Sequence, residues 1–384
     1  MIKRAIENQI LKFLSKFPIV TLTGVRQCGK STLLKNLLTD YTYVSLEDPD
    51  TREFANTAPR EFLQKYNTHC IFDEIQQVPS LFSYLQTVVD ESKEMGQYIL
   101  SGSHNFNLMK SISQSLAGRT AVLSLAPFSM SELNNENLLP NKLEEIMYKG
   151  FYPPIYDRNI EPYDYFPSYI DTYIERDVRL LQNISNSTAF IRFIKLLALH
   201  SSQTINYTEL ANESAVSIPT VKSWLSILIQ SYLIFELQPY YKNISKRLVK
   251  SPKIYFYDTG LLCFLLGIET HNNLRLNDRF GCIFETMMIS EYIKSKLFCA
   301  RKPNGYFYRD TNQLEVDLID EIGTSLNAYE IKASESIDKK HFKNLLKVSE
   351  ILQIPKENLT CIYTGINTIK NSNYNFVNYK NIFN

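Results

Sequence analysis

Between residues 17 and 130, short apolar or β-branched runs alternate with helical stretches. The runs are FPIVTLTG (17–24), YTYVSLED (41–48), THCIFDE (68–74), GQYILSGS (96–103) and RTAVLSLAPF (119–128). Stretches such as STLLKNLLTD and SLFSYLQTVVDES lie between them and carry helical spacing. Alternation of this kind predicts a mostly parallel sheet covered on both faces. Ahead of it, Ile2, Ile6, Ile10 and Leu14 stand four apart in a basic segment. No continuous apolar stretch accompanies them, so the segment predicts a surface helix rather than a targeting peptide.

The pattern then changes twice. Residues 131–200 read as helical, with aromatic-rich connections around KGFYPPIYDRNIEPYDYF. NYTELANES, a short turn and IPTVKSWLSILIQSY follow with helix–turn–helix spacing; Ser217 is placed to cap the second helix and Pro219 falls in its first turn. LIFELQPYY and KIYFYD flank a basic loop and complete a winged-helix pattern. From about residue 275 the texture is helix, strand, strand, helix, strand. Within it, LEVDLIDEIGTSLNAYEIKAS reads as two strands joined by a Gly-containing turn.

A chain of 384 residues has room for two or three domains. Hydrophobic content of 44% with 21% charged residues fits a globular protein with sizeable cores. The net charge of +1 neither requires nor excludes a nucleic-acid partner, so the distribution of charge has to decide. The six cysteines are scattered without a CxxC pair, which points away from a zinc ribbon or disulfide framework and toward a reduced, cytoplasmic setting. No run of ~20 apolar residues is present, and no membrane partner is expected.

GVRQCGKS fits G-x-x-x-x-G-K-[ST] between an apolar strand and a helix, the context this phosphate-binding motif requires. Gly24, Val25, Arg26, Gln27, Cys28, Gly29, Lys30, Ser31 and Thr32 are the expected nucleotide-binding residues. The two glycines admit phosphates to the backbone, Lys30 reaches the β- and γ-phosphates, and Ser31 ligates Mg²⁺. CIFDE ends an apolar strand in Asp73, a second Mg²⁺-holding residue, and Glu74, which polarises the attacking water. Ser101 and Ser103 are candidate γ-phosphate sensors. Arg119 is either an arginine finger or a solvated surface residue.

TGVRQCGKSTLL, IFDEIQQVP, ILSGS and SLAGRTAVLSLAPFSMSE resemble a bacterial and archaeal AAA+-type ATPase family that carries a C-terminal domain of unknown function. The resemblance continues through GFYPP, YIERDV, INYTELANESAVSIPTVKSWLSIL, KSPKIYFYDTGLL, GCIFE and LEVDLI…YEIKAS. It implies an ATPase followed by a winged helix and a nuclease-like tail. The expected division is a P-loop AAA+-type domain over 1–135, a helical connector over 136–200, a winged-helix module over 201–258 and a restriction-endonuclease-like α/β domain over 259–384.

In the middle module, Lys242, Lys246, Arg247, Lys250 and Lys253 occupy a loop without an acid and beside tyrosines, as a DNA-phosphate-contacting wing would. The same loop suits an internal packing adaptor. In the tail, strand alternation puts Asp317 with Glu315 on one face and Glu330 with Lys332 on one face. Glu285, from the helical GCIFETMMISEYIKSK, is placed to join them. A helix acid, an Asp and Glu-x-Lys together resemble the PD-(D/E)xK nuclease superfamily, with EVD standing where PD would. Carboxylates of this kind suit Mg²⁺ or Mn²⁺, and a lysine suits charge stabilisation at a phosphodiester. The expectation is an ATP- and Mg²⁺-dependent ATPase acting on DNA, able to oligomerise, with Glu285, Asp317 and Glu330 as tail metal ligands and Asp317, Glu330 and Lys332 as catalytic groups. The alternative is a nucleotide-dependent switch or DNA-binding regulator whose tail does not cleave.

Overall fold

The computed structural model describes residues 2–102, 112, 114–172, 187–241, 251–336, 338–370 and 375–383. They fold as two compact units. The first comprises Met1–Phe128, Gln230–Tyr232 and Lys296–Arg301; the second comprises Ser129–Ile229, Leu233–Ser295 and Lys302–Asn384.

The first unit is built on β1 (Ile19–Gly24), β2 (Thr42–Ser45), β3 (Cys70–Asp73), β4 (Tyr98–Ser101) and β5 (Thr120–Leu125). These are the five strands expected from the apolar runs. They pair in the order β2-β3-β4-β1-β5, and every pair is parallel. All of β1, β3 and β4 is buried, as continuous apolar runs covered on both faces should be. The helices are α1 (Glu7–Leu14), α2 (Lys30–Leu37), α3 (Pro49–Thr57), α4 (Pro59–Lys65) and α5 (Leu81–Ser92). Phe72 anchors the core on one side of the sheet, with Phe62 and Tyr98 each 5.5 Å away between ring centres. The amphipathic N-terminal segment is α1, and its Ile6 and Ile10 are fully buried.

The second unit opens with α6 (Met130–Asn135), α7 (Leu143–Lys149), α8 (Pro153–Asp157) and α9 (Pro162–Tyr169). Then come α10 (Ser187–Leu199), α11 (Tyr207–Ser214) and α12 (Ile218–Gln230). The turn between α11 and α12 uses Ala215 at φ 55°, and the Ser217 hydroxyl accepts from the Thr220 amide at 3.3 Å, the cap expected from the sequence. The later elements are β6 (Ile234–Pro239), β7 (Lys253–Phe256), α13 (Thr259–Leu265), α14 (Phe280–Phe298), β8 (Gly305–Arg309), β9 (Glu315–Ile322), β10 (Ser325–Lys332), α15 (Lys343–Leu352), β11 (Leu359–Tyr363), β12 (Ile369–Lys370) and β13 (Asn375–Asn378).

One eight-stranded mixed sheet, in the order β12-β13-β11-β10-β9-β8-β6-β7, runs through this unit. β9 and β10 form the expected hairpin, with Ser325 opposite Ile322 and Gly323 at φ 62° in the two-residue loop. Strands on either side of the expected boundary at 258 pair with each other. β6 pairs with β8 in parallel, at Gln238–Tyr306 and Pro239–Phe307, so the β6–β7 hairpin extends the tail's sheet. An edge strand with unpaired amides recruits whatever strand is at hand, and β8, which the sequence reading passed over, supplies that edge.

Candidate functional site

In the first unit the phosphate loop leaves β1 at Gly24. The loop needs two glycines for different reasons. At Gly24 (φ 143°) an added Cβ would lie 2.1 Å from the Leu125 carbonyl oxygen, because β5 passes against the loop's root. At Gly29 (φ 90°) there is space, but the backbone is left-handed as it enters α2. Val25 and Cys28 are fully buried. Arg26 is half-buried, and Gln27 and Thr32 are exposed. Lys30 is folded over its own loop, its Nζ donating to the Gly24 carbonyl at 3.2 Å and the Val25 carbonyl at 2.9 Å. Arg4, which no motif marks, fixes the loop from beneath. Its guanidinium donates to the carbonyls of Cys28 at 2.9 Å and Ala126 at 2.7 Å and lies 4.7 Å over the Phe128 ring.

Asp73 ends β3, and the strand order explains its surroundings. β4 lies between β1 and β3, so Ser101 is in register with both Leu22 and Asp73. The buried Asp73 carboxylate accepts from Ser31 Oγ at 2.6 Å, from the Ser101 hydroxyl and from the Tyr43 hydroxyl. Ser31 and Asp73, the two expected Mg²⁺ residues, are therefore adjacent. Tyr43 was not anticipated, although its strand, β2, pairs directly with β3. Burial, reinforced by the bond to Asp73, pushes its hydroxyl well above the ordinary value, so it remains a donor. Glu74 follows in a left-handed conformation (φ 55°, ψ 42°), and the Gln76 side-chain amide donates to its carboxylate. Such backbone strain in a non-glycine residue persists where the surroundings over-determine it.

Ser103 lies outside the described residues, as do Lys242, Lys246, Arg247 and Lys250. Arg119 directly precedes β5, at the end of the sheet opposite the phosphate loop, and forks onto Asp90 at 2.6 and 2.7 Å. Six-residue β1 separates that end from Gly24 by roughly 17 Å. Within one chain, Arg119 does not serve the loop that begins at Gly24.

The second unit brings the tail residues together. Asp317 on β9, Glu330 and Lys332 on β10 and Glu285 on α14 share one electrostatic neighbourhood. Lys332 Nζ lies 2.6 Å from Glu330 Oε1 and 3.9 Å from Asp317 Oδ2. The Ile331 amide donates to Asp317 Oδ2 at 2.8 Å and holds that carboxylate across the hairpin. Burial, with Asp317 beside it, raises the Glu330 carboxyl to about 8. Burial raises Glu285 to about 7, with Lys253 opposing and Asp317 adding to the shift.

For Lys253, the packing-adaptor reading of the basic loop holds: its side chain is 3% exposed, and its Nζ lies 3.1 Å from Glu285 Oε1 and 2.6 Å from Glu315 Oε1. Tyr255, two residues along β7, donates to Glu285 at 2.6 Å. Alternation along KIYF places both side chains on one face, a signal the sequence contained.

The tail carboxylates suit a divalent cation in donor type, since hard oxygens bind Mg²⁺ and Mn²⁺. Glu330 Oε2 is buried without a hydrogen-bond partner. The spacing is wider than a closed metal centre, however. Among the described residues, only His200, Glu209 and Glu213 bring three such donor atoms within 4.8 Å of one another. No helix among the described residues is long and apolar enough to cross a membrane, and all six cysteines are unbridged.

Comparison with known proteins divides the chain in three. Residues 16–134 match the family model described as AAA domain. Residues 140–272 and 280–382 match two models described as domains of unknown function, DUF8612 and DUF4143. Uncharacterized proteins of Mycobacterium tuberculosis (Rv2008c) and Mycobacterium bovis (Mb2031c) are each 28% identical over 340 residues, covering 87% of this chain and 74% of theirs. Among solved structures, the Walker-type ATPase of Pyrococcus abyssi aligns at TM-score 0.44 and 16% identity, over 69% of this chain and 96% of its own. AMPPCP-bound DnaA from Aquifex aeolicus aligns at TM-score 0.31 and 12% identity, over 59% of this chain and 86% of its own. The AAA-domain match supports an AAA+-type ATPase unit at the N-terminal end of this chain.

Proposed function

We propose that the first unit binds and hydrolyses Mg–ATP and that the second unit is a DNA-directed module. The observation that carries the first part is the 2.6 Å bond between Ser31 and Asp73 beneath a complete phosphate loop. It brings the hydroxyl and carboxylate that hold Mg²⁺ in P-loop enzymes to one point. Lys30 exchanges its bonds to the loop carbonyls for the β- and γ-phosphates, and Glu74 orients water. Lys30→Ala is expected to lose nucleotide binding, whereas Glu74→Gln keeps ATP and loses turnover, read by filter binding and phosphate release. Wild-type turnover in Glu74→Gln removes Glu74 from the mechanism.

For the second unit, the reading is a winged-helix element joined to a PD-(D/E)xK-like tail. Glu285, Asp317 and Glu330 would hold Mg²⁺ or Mn²⁺ there, and Lys332 would stabilise charge at the phosphodiester. The orphaned Glu330 oxygen supports it. Lys332→Met is expected to retain Mn²⁺ binding but abolish cleavage of DNA. Charge reversal at Lys246 and Arg247 is expected to weaken DNA binding and flatten its salt dependence. A different observation favours a second reading, a nucleotide-dependent switch with a non-cleaving tail: Lys253 and Lys332 already pair with the tail's acids. Absence of cleavage on single-stranded, duplex and branched DNA with either metal, by a chain that still binds DNA, selects that switch.

A further inference from the structure

The second unit holds another cluster, apart from Glu285, Asp317 and Glu330. His200 follows α10, while Glu209 and Glu213 stand one turn apart on α11. Asn206 caps α11 by accepting from the amides of Thr208 and Glu209, each at 3.2 Å, which fixes where the first turn begins. The imidazole and the two carboxylates bring their donor atoms within 4.8 Å of one another, and His200 Nε2 lies 3.3 Å from Glu213 Oε2.

The hydrogen bonding of the ring makes this arrangement informative. His200 Nδ1 lies 3.3 Å from Gln203 Oε1, a carbonyl oxygen that only accepts. Nδ1 is turned to that oxygen, which leaves Nε2 as the nitrogen that faces Glu213. A metal-bound histidine whose other nitrogen donates to a carbonyl is a common arrangement at metal centres, because that bond fixes the ring and its tautomer. Ligand atoms around a tetrahedral Zn²⁺ with bonds of about 2.0–2.1 Å stand roughly 3.3 Å apart.

An independent feature points to the same place. The Thr204 hydroxyl oxygen is buried without a hydrogen-bond partner. It lines a cavity of about 10 Å³ together with His200, Gln203, Asn206, Glu209 and four apolar side chains, with Glu213 outside that lining. That space admits one water, which a metal ion with three protein ligands would carry as its fourth.

We propose that His200, Glu209 and Glu213 bind one Zn²⁺, with a water at the fourth position bonded to Thr204. The site is structural. The segment after His200 is stitched to β7: the Ser202 amide donates to the Ile254 carbonyl at 2.8 Å and the Ile205 amide to the Pro252 carbonyl at 2.9 Å. Thr204 bridges Lys253 directly. The ion would tie the end of α10 to α11, beside the strand from which Lys253 reaches Glu285.

The test uses the full chain, stripped of metal and dialysed against micromolar ZnCl₂ with millimolar MgCl₂, so that Mg²⁺ occupies the all-oxygen positions. Elemental analysis is expected to find one Zn²⁺ per chain in the wild type and none in the His200→Gln/Glu213→Gln variant. Added Zn²⁺ should raise the melting temperature of the wild type only. Co²⁺ in place of Zn²⁺ should give the visible absorption of a low-coordinate site. If the double variant fails to fold, Glu213→His decides instead, because it replaces one ligand with another and should keep the ion. A wild type that takes up no Zn²⁺, or a folded double variant that keeps the same equivalent, overturns the proposal and leaves an imidazolium–carboxylate pair.

Discussion

Lys253 keeps its charge at 3% exposure because Tyr255, Glu285, Asp317 and Glu315 surround it and offset the burial that would otherwise favour the neutral amine. Removing one partner of such a cluster strands the others. Lys253→Met is expected to cost about 3–5 kcal/mol, because Glu285 and Glu315 lose their cation. Combining it with Glu285→Gln should return part of that loss. Urea titrations of the single and double variants measure both, and strict additivity would argue that the two residues do not interact. The same residue shows why part of the site escaped the sequence. In KSPKIYFYD the lysine has no acid within reach along the chain, and its partners lie 32 and 62 residues away. Asp317, Glu330 and Lys332 were legible because alternation along two strands joined by a short turn fixes which side chains meet. Glu285 was legible because its helix carries it inside an otherwise apolar stretch.

At the scale of elements, the five strands of the first unit were readable because each is a short, continuous apolar run that the sheet covers on both faces. Their order was not readable, since nothing in a single run states its neighbours. Order is what places Ser101 and Tyr43 against Asp73. Arg4 is a second case: it joins α1 to the phosphate loop and to the end of β5 through carbonyls 24 and 122 residues away. Carbonyls carry no sequence signature. Arg4→Met keeps much of the packing against Phe128 but leaves the Cys28 and Ala126 carbonyls without their donor. The expected cost is about 1–3 kcal/mol of stability, together with weaker ATP binding as the loop loses its support. Unaltered ATP affinity in a measurably destabilised Arg4→Met chain would show that the loop holds its shape without the guanidinium. The β6–β7 hairpin was legible as a pair of strands, but its pairing with β8 was not, because a hairpin's outer edge carries no mark of the strand that will meet it.

For the molecule as a whole, the two units use their cations differently. In the first, Lys30 and Arg4 donate to backbone carbonyls. In the second, Lys253 and Lys332 pair with acids. The carboxyls of Glu285 and Glu330 are raised to about 7 and about 8, by burial first and then by Asp317, with Lys253 and Lys332 opposing. A carboxyl whose folded value exceeds its unfolded one favours folding in its protonated form. That contribution is complete below the unfolded value of about 4.3 and is lost as pH rises through the folded value. Metal-free protein is therefore expected to lose stability between about pH 5 and pH 8, and Mg²⁺ should flatten the loss by replacing the protons it displaces. Asp317→Asn should do so without metal, since it removes the negative charge beside Glu330 while its side-chain oxygen still accepts from Ile331. Thermal melts in EDTA and in millimolar Mg²⁺ across that range, for the wild type and for Asp317→Asn, separate these effects. Lys30→Ala, which alters only the phosphate loop, should show the wild-type pH slope. A metal-free wild type with no slope over this range would mean that Lys253 and Lys332 already balance the tail's acids, which is the charge state expected of a non-cleaving switch.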